Sequence, residues 1–363
     1  MKKIVSIILI GIFMFSFASC SLKQNKKSES NKSENVFDIK IAQNIVNVYM
    51  GYLIKDDQEN IKKMYSKELS SKTKSSAAND LKVLGYKIED INEIGHTGVF
   101  KVNVARSSIN KPAAVLDEYT VKVKKEENEY KIDDINSETN REAYNQADEL
   151  RLRTKGNVKT NLIADTDGIP EYVYPKDDKA SVVKIDTPKN NFGMINFSYG
   201  GTNLAVSTYN KDSFIGIIKI DESLAVQGGQ DESQAGSQSE NKGSSSTNIK
   251  EPPVGKEIAP VDLLKDSKID SMVFSLDEKF LVVQYTNALG SKNLRVYYSE
   301  SGNIIPFKFE DIYDANLYNV VFSSFDNDVL NYEVTKNPKS SNAKEEILGK
   351  WQLDLEKFKQ KKL

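Results

Sequence analysis

Cysteine, histidine and tryptophan each occur once in 363 residues, and proline only nine times. One thiol, Cys20, leaves no partner for an intrachain disulfide, and one imidazole, His96, excludes any metal site built on two or more histidines. A nucleophilic triad would have to assemble around His96, and no G-x-S-x-G elbow accompanies it. That histidine lies in Ile94-Gly95-His96-Thr97-Gly98, between two strand patterns, where an exposed turn residue is expected. Neither sign of charge is in excess: 50 basic and 52 acidic side chains give a net charge of −2. Without a global field, nucleic acid is not an expected partner. Beyond the first twenty residues, no apolar run reaches the roughly 18 residues that a membrane span needs.

Those first twenty residues read MKKIVSIILIGIFMFSFASC. Lys2 and Lys3 form a basic start, Ile4 to Phe17 an apolar run, and Ala18-Ser19 a pair of small residues before Cys20, the pattern of a cleaved signal peptide. This resembles the lipobox of bacterial lipoproteins, with Phe17 where leucine is usual. The resemblance implies that the Cys20 sulfur receives a diacylglyceryl group with palmitate-type chains and that the chain is cut before it. It further implies attachment to the extracytoplasmic face of the cell membrane. With Cys20 acylated, no thiol remains for metal binding or nucleophilic attack. The scarcity of cysteine and the Lys-, Asn- and Ser-rich composition fit a Gram-positive, AT-rich source.

Signal peptide 1–19 is followed by a tether, 20–35, whose SLKQNKKSESNKSEN cannot bury enough apolar surface to repay ordering. From residue 36 the period becomes helical: Ile41, Ile45, Val48, Tyr49, Tyr52 and Leu53 share one face. A second helix is expected from Asp57, as cap, through Ile61, Met64 and Tyr65 to Leu69. Strand patterns follow at Tyr86 to Ile94, Gly98 to Arg106, Glu118 to Lys124 and Tyr130 to Ile135. Helices followed by antiparallel strands predict an α+β domain over 36–137, with helices covering one sheet face. Its paired helices with Tyr49-Met50-Gly51-Tyr52, the Val99 to Val104 strand and the hairpin from Tyr119 to Ile132 resemble NTF2-like domains of exported lipoproteins. That resemblance implies a curved sheet and helices forming a cone, and by itself no activity. Residues 138–155, with Ala143, Ala147 and Leu150 on a thin apolar side, are expected to form a linker helix.

Over 156–357 a strand, polar turn, strand pattern recurs. Ile195-Asn196-Phe197-Ser198 aligns with Met272-Val273-Phe274-Ser275, and more loosely with Val320-Val321-Phe322-Ser323; each copy precedes a further β-rich run. A low-complexity insertion, 222–253, lies between the first two copies, and removing it leaves a period in the mid-forties, that of one propeller blade. The copies resemble WD40-like and TolB-like β-propeller repeats, which implies an all-β C-terminal domain. A β-sandwich of repeated hairpins is the alternative. Residues 358–363 form a basic tail.

Asp165-Thr166-Asp167-Gly168-Ile169-Pro170-Glu171 has the alternating carboxylates and turning glycine of part of a calcium loop, making Asp165, Asp167 and Glu171 candidate ligands. The third acidic position of D-x-D-x-D-G is missing, and a plain turn with capping aspartates accounts for the same residues. No catalytic constellation stands out, no organic cofactor is implied, and catalysis is not expected. The expected function is that of a membrane-anchored lipoprotein binding a protein or cell-envelope polymer. The alternative is a small-molecule receptor or hydrolase using the NTF2-like cone or a cleft of the repeat domain.

Overall fold

The computed structural model describes residues 37–73, 80–177, 180, 182–223, 251–340 and 342–363. The signal peptide 1–19, Cys20, the tether 20–35 and residues 224–250 of the insertion lie outside them.

Helix α1, Ile39–Ile54, starts where the Asp38 carboxylate accepts hydrogen bonds from the Lys40 and Ile41 backbone N–H groups. Such a cap is worth about 1 kcal/mol. Ala42, Val46, Tyr49 and Met50 form its buried stripe, and the helix gives way to Asp56, whose φ of 55° lies in the left-handed region. The expected single second helix is instead two, α2 Gln58–Lys63 and α3 Lys67–Lys72. The break has a local cause: Ile132 N–H donates to Met64 O and Ser66 N–H to Ile132 O, drawing Tyr65 into a strand-like bridge. The Ser66 hydroxyl then caps α3 by accepting from Leu69 N–H.

Six strands follow as an antiparallel meander: β1 Leu81–Ile94, β2 Thr97–Ser108, β3 Ala113–Glu126, β4 Glu129–Gln146, β5 Glu149–Thr154 and β6 Asn161–Asp165. This corrects the expected linker helix at 138–155, which is the second half of β4 and all of β5. Leu150 and Leu152 alternate with Arg151 and Arg153, a period of two. Pairing of Ala143 with Leu152 places their side chains in one core, and Ala147 and Asp148 both take positive φ in the turn, as a tight hairpin requires. The sheet therefore runs through the boundaries anticipated at 137 and 156, and Phe37–Leu363 is one compact unit.

Three further antiparallel sheets follow. The second holds β9 Asn191–Phe197, β10 Asn203–Tyr209, β11 Ser213–Ile220 and β12 Gly255–Leu264; the third holds β13 Lys268–Phe274, β14 Phe280–Thr286 and β15 Lys292–Tyr298. After the short helix α4, Phe309–Ile312, the fourth holds β16 Tyr318–Phe325, β17 Val329–Lys336, β18 Gly349–Asp354 and β19 Gln360–Lys362. A two-stranded ribbon, β7 Tyr172–Val173 with β8 Ile185–Asp186, lies in the connection before β9.

Successive layers meet through separate cores. The helices bury Val46 and Met50 against Phe100 and Val121 of the first sheet, whose Leu116 and Leu152 pack on Phe197 and Leu204 of the second. Ala205 and Ile217 of the second sheet meet Phe274 and Leu281 of the third, whose Phe280 and Val282 meet Val320 and Leu330 of the fourth. Neighbouring residues of one strand, Leu204 and Ala205 or Leu281 and Val282, thus enter different cores, so the second and third sheets are buried on both faces. A two-sheet sandwich has only one such core; sequential up-and-down sheets stacked in series are the propeller-type arrangement.

The repeat is the first hairpin of each of these sheets. Phe197 pairs with Leu204, Phe274 with Leu281 and Phe325 with Leu330. In the first two, Ser198 and Ser275 begin the turn, and their hydroxyls accept from Asn203 and Phe280 N–H. The third copy differs from its sequence alignment: Phe322 pairs with Tyr332 inside the ladder, Ser323 is exposed, and Phe325-Asp326 takes the Phe-Ser place before a shorter turn. The insertion leaves and re-enters at adjacent points, since Ile220 pairs with Gly255 and Asp221 N–H donates to Val254 O.

Candidate functional site

Tight turns that follow from polar breaks between apolar runs bring four connections to one end of the sheets. These are the β2–β3, β10–β11, β12–β13 and β14–β15 turns, and they enclose a cleft of about 620 Å³. That volume suits a small ligand or the end of a larger one. Phe192, Met194 and Ile269, each under a tenth exposed, form its apolar floor. The Ser207 hydroxyl in the wall donates to Met194 O at 2.9 Å. Gly193 is needed for close approach: a Cβ there would stand 2.7 Å from Ser207 Oγ and 3.2 Å from Tyr209 Cδ1. Its absence lets the Tyr209 ring, 44% exposed, lie along the β9 backbone at the rim.

The rim carries Lys111, Lys211, Lys268 and Asp266. Lys211 pairs with Asp266 at 2.8 Å, which raises the ammonium pKa above its ordinary value through the hydrogen bond and the opposite charge. Asp266 itself has a left-handed backbone, φ 47°, and its N–H donates to Asp212 Oδ1 at 2.8 Å, tying the β12–β13 turn to the β10–β11 turn. Lys111 stands 3.7 Å from Asp80. Hydrogen bonds from Asn110 Nδ2 and Ser108 Oγ already hold that carboxyl below its usual range.

A second cleft, about 710 Å³, opens where α1 passes β1 and the β13–β14 and β16–β17 turns. Asn44, Asn47, Tyr86 and Asp326 are among its walls. Tyr86 donates to Asn47 Oδ1 at 3.1 Å, and burial, with the Asp326 charge nearby, pushes its phenol up to about 12.

Among the described residues the most buried cation is Arg295 on β15, which is bound from every side. It donates through Nη1 to Asp262 at 2.9 Å, through Nη2 to Asp177 at 2.6 Å and through Nε to Glu310 at 2.6 Å. Tyr297 and Tyr285 donate to Asp262 and Glu310, both at 2.7 Å. These contacts fasten β12, α4 and the segment just after β7 to the third sheet. A buried guanidinium so engaged is a strut, and removing one deeply buried partner from such a pair costs about 3–5 kcal/mol.

The residues singled out from sequence lie elsewhere. Asp165 Oδ1 accepts from Gly168 N–H at 2.9 Å, capping a single 3-10 turn, while Glu171 pairs with Lys189 at 2.7 Å. Asp165, Asp167 and Glu171 are not brought together: among the described residues no three His, Cys, Asp or Glu side chains converge as a metal site. His96 is exposed in the turn between β1 and β2, beside Gly95. No helix among the described residues is long and apolar enough to cross a membrane. Lys268, Lys211, Tyr209 and Asn287 belong to no sequence motif; the one signal that could have found them is the repeat itself, which puts alternate turns at one end.

No protein-family model matches the chain, and no curated protein matches it. Among solved structures it is similar to the β-propeller domain of the trilobed protease from Pyrococcus furiosus, 12% identical, with a TM-score of 0.32 over 77% of this chain and 57% of that one. It is also similar to puromycin hydrolase, 8% identical, TM-score 0.30, over 76% of this chain and 46% of that one. TolB from Acinetobacter baumannii is 8% identical, TM-score 0.23, over 66% and 58%. The chain thus spans about half the length of the first two. The propeller-type description rests on this chain's own strand order and packing.

Proposed function

We propose that this chain is a lipid-anchored binding module on the extracytoplasmic face of a bacterial cell membrane, holding a protein or cell-envelope component in the cleft between its sheet ends. The cleft carries this reading: an apolar floor, a polar rim, and turns tied to one another by Asp212 and Asp266 make a preformed concave site. The lipobox pattern ending at Cys20 supports the anchor, and the 20–35 tether would hold the sheets clear of the bilayer. The helices and meander from residue 36 onward are read as an NTF2-like scaffold against which the propeller-type sheets stack, and a Gram-positive envelope is the setting.

Two measurements test it. Cys20→Ala should abolish labelling by a radioactive fatty acid in the producing cell; unchanged labelling would overturn the anchor. The full chain in non-ionic detergent should co-sediment with cell-envelope fragments, and Ile109→Trp, which enlarges an exposed side chain at the cleft, should abolish this without lowering the melting temperature. Equal sedimentation of the two proteins would remove the cleft from the function.

A further inference from the structure

Resting on that reading, we infer that the cleft takes an anionic ligand, a phosphate or carboxylate group joined to a short apolar or aromatic body. The basis is which hydrogen-bonding capacity the cleft leaves unspent. Apart from Asn110, whose Nδ2 donates to Asp80 Oδ1 at 2.7 Å, the asparagines lining the cleft have their carbonyl oxygens occupied by their own turns: Asn210 Oδ1 accepts from Asp212 N–H at 2.8 Å, and Asn287 Oδ1 accepts from Leu289 and Ser291 N–H, each at 3.0 Å. What remains of each amide is its Nδ2–H₂ donor, with no partner among the described residues. Ser207 and Ser213 spend their hydroxyl protons inward, on Met194 O and Ser267 O.

To these donors the rim adds ammonium groups. Lys268 is exposed and has no carboxylate partner among the described residues. Lys211 is held by Asp266, but their side chains are 79% and 45% exposed, and an exposed pair of that kind contributes little and is readily exchanged for another anion. Of the three ammonium groups lining the cleft, Lys211 faces Asp266 and Lys111 faces Asp80 at 3.7 Å, which leaves Lys268 as the cation without a carboxylate among the described residues. A neutral polyhydroxyl ligand needs acceptors as well as donors; a rim of unspent N–H groups favours an acceptor-only group, which a phosphate or carboxylate is. Beneath that rim the floor of Phe192, Met194 and Ile269 offers no polar partner, and the attached body therefore has to be apolar.

Titration calorimetry on the full chain in non-ionic detergent tests this with four probes: phenyl phosphate, phenylacetate, benzyl alcohol and inorganic phosphate. The expected result is that one of the two aromatic anions binds at least about tenfold more tightly than both benzyl alcohol and inorganic phosphate, with affinity falling as salt rises. Which of the two anions binds better separates a phosphate ester from a carboxylate. Lys268→Gln should weaken that anion about tenfold and leave benzyl alcohol unchanged, while Lys268→Arg should retain it. Benzyl alcohol binding as tightly as the anions, anion binding indifferent to Lys268→Gln, or no anion binding would overturn the inference. Envelope co-sedimentation that Ile109→Trp abolishes and Lys268→Gln does not would sink the anionic assignment alone and leave the cleft as the contact. Co-sedimentation indifferent to Ile109→Trp would sink the underlying reading too.

Discussion

Gly85 shows how one missing side chain sets the distance between layers. It sits at a bulge in β1, where a Cβ would run into the Tyr199 hydroxyl and stand 3.1 Å from Val273 Cγ1. Tyr199 is 2% exposed and has nowhere to retreat. Gly85→Ala should therefore destabilise the protein by about 1–3 kcal/mol, as overpacking does. The same change made in Tyr199→Phe, which lacks the obstructing oxygen, should cost much less. Denaturant midpoints of the two pairs measure the difference, and equal costs in both backgrounds would show that the approach is not limiting.

The hairpins are specified by their turns as much as by their apolar strands. Ser275 is fully buried, and its Oγ accepts from Phe280 N–H at 3.0 Å while donating to Asp277 at 2.7 Å. Removing that oxygen leaves a buried N–H unsatisfied, so Ser275→Ala should cost about 1–2 kcal/mol. Ser323, its partner in the sequence alignment, is exposed within β16, and Ser323→Ala should stay within about 0.5 kcal/mol of the parent. Unfolding curves for the two variants read the register of the third repeat directly. Comparable losses would restore the alignment Phe322-Ser323 and refute the assignment of Phe325-Asp326.

Stacking four sheets and a helical layer in series buries many phenols together, and this sets the behaviour of the whole chain in alkali. Burial raises the pKa of Tyr49, Tyr199, Tyr285, Tyr297 and Tyr332 above the ordinary 10.0, and burial together with Asp326 brings Tyr86 to about 12. Below pH 10 both folded and unfolded chains keep these protons. Above it the unfolded chain releases them while the folded chain retains them, so stability falls as pH rises towards and through the folded values. Each such group adds about 1.4 kcal/mol per pH unit to the slope. Stability between pH 10 and 12 should drop steeply, phenolate absorbance should appear together with unfolding, and Tyr86→Phe should make the slope shallower by about one group. Phenolate absorbance from these tyrosines before unfolding would contradict their burial. The second and third sheets, covered on both faces, give the reason their strands are nearly continuous in apolar residues and carry little alternation.

Local chemistry made much of this architecture readable in advance. The α1 stripe and the Asp57 cap follow from spacing and side-chain type, as do the strands on either side of the Phe197-Ser198 and Phe274-Ser275 turns, because these depend on residues within a turn or two of each other. The candidate address at Cys20 is likewise a short linear pattern. Other features depended on distant partners. Residues 138–155 carry helical and strand periods at once, and only the pairing of Ala143 with Leu152 over the second sheet selects the strand. Likewise, Met64 and Ser66 interrupt a continuous helical pattern because Ile132 offers better-placed backbone partners. The cleft is the extreme case: Asn210 and Asn287 lie in two separate hairpin turns and Lys268 begins β13, all ordinary as sequence. They become one donor-lined site only because sheets of matched strand length, stacked face to face, bring their turns to a common end.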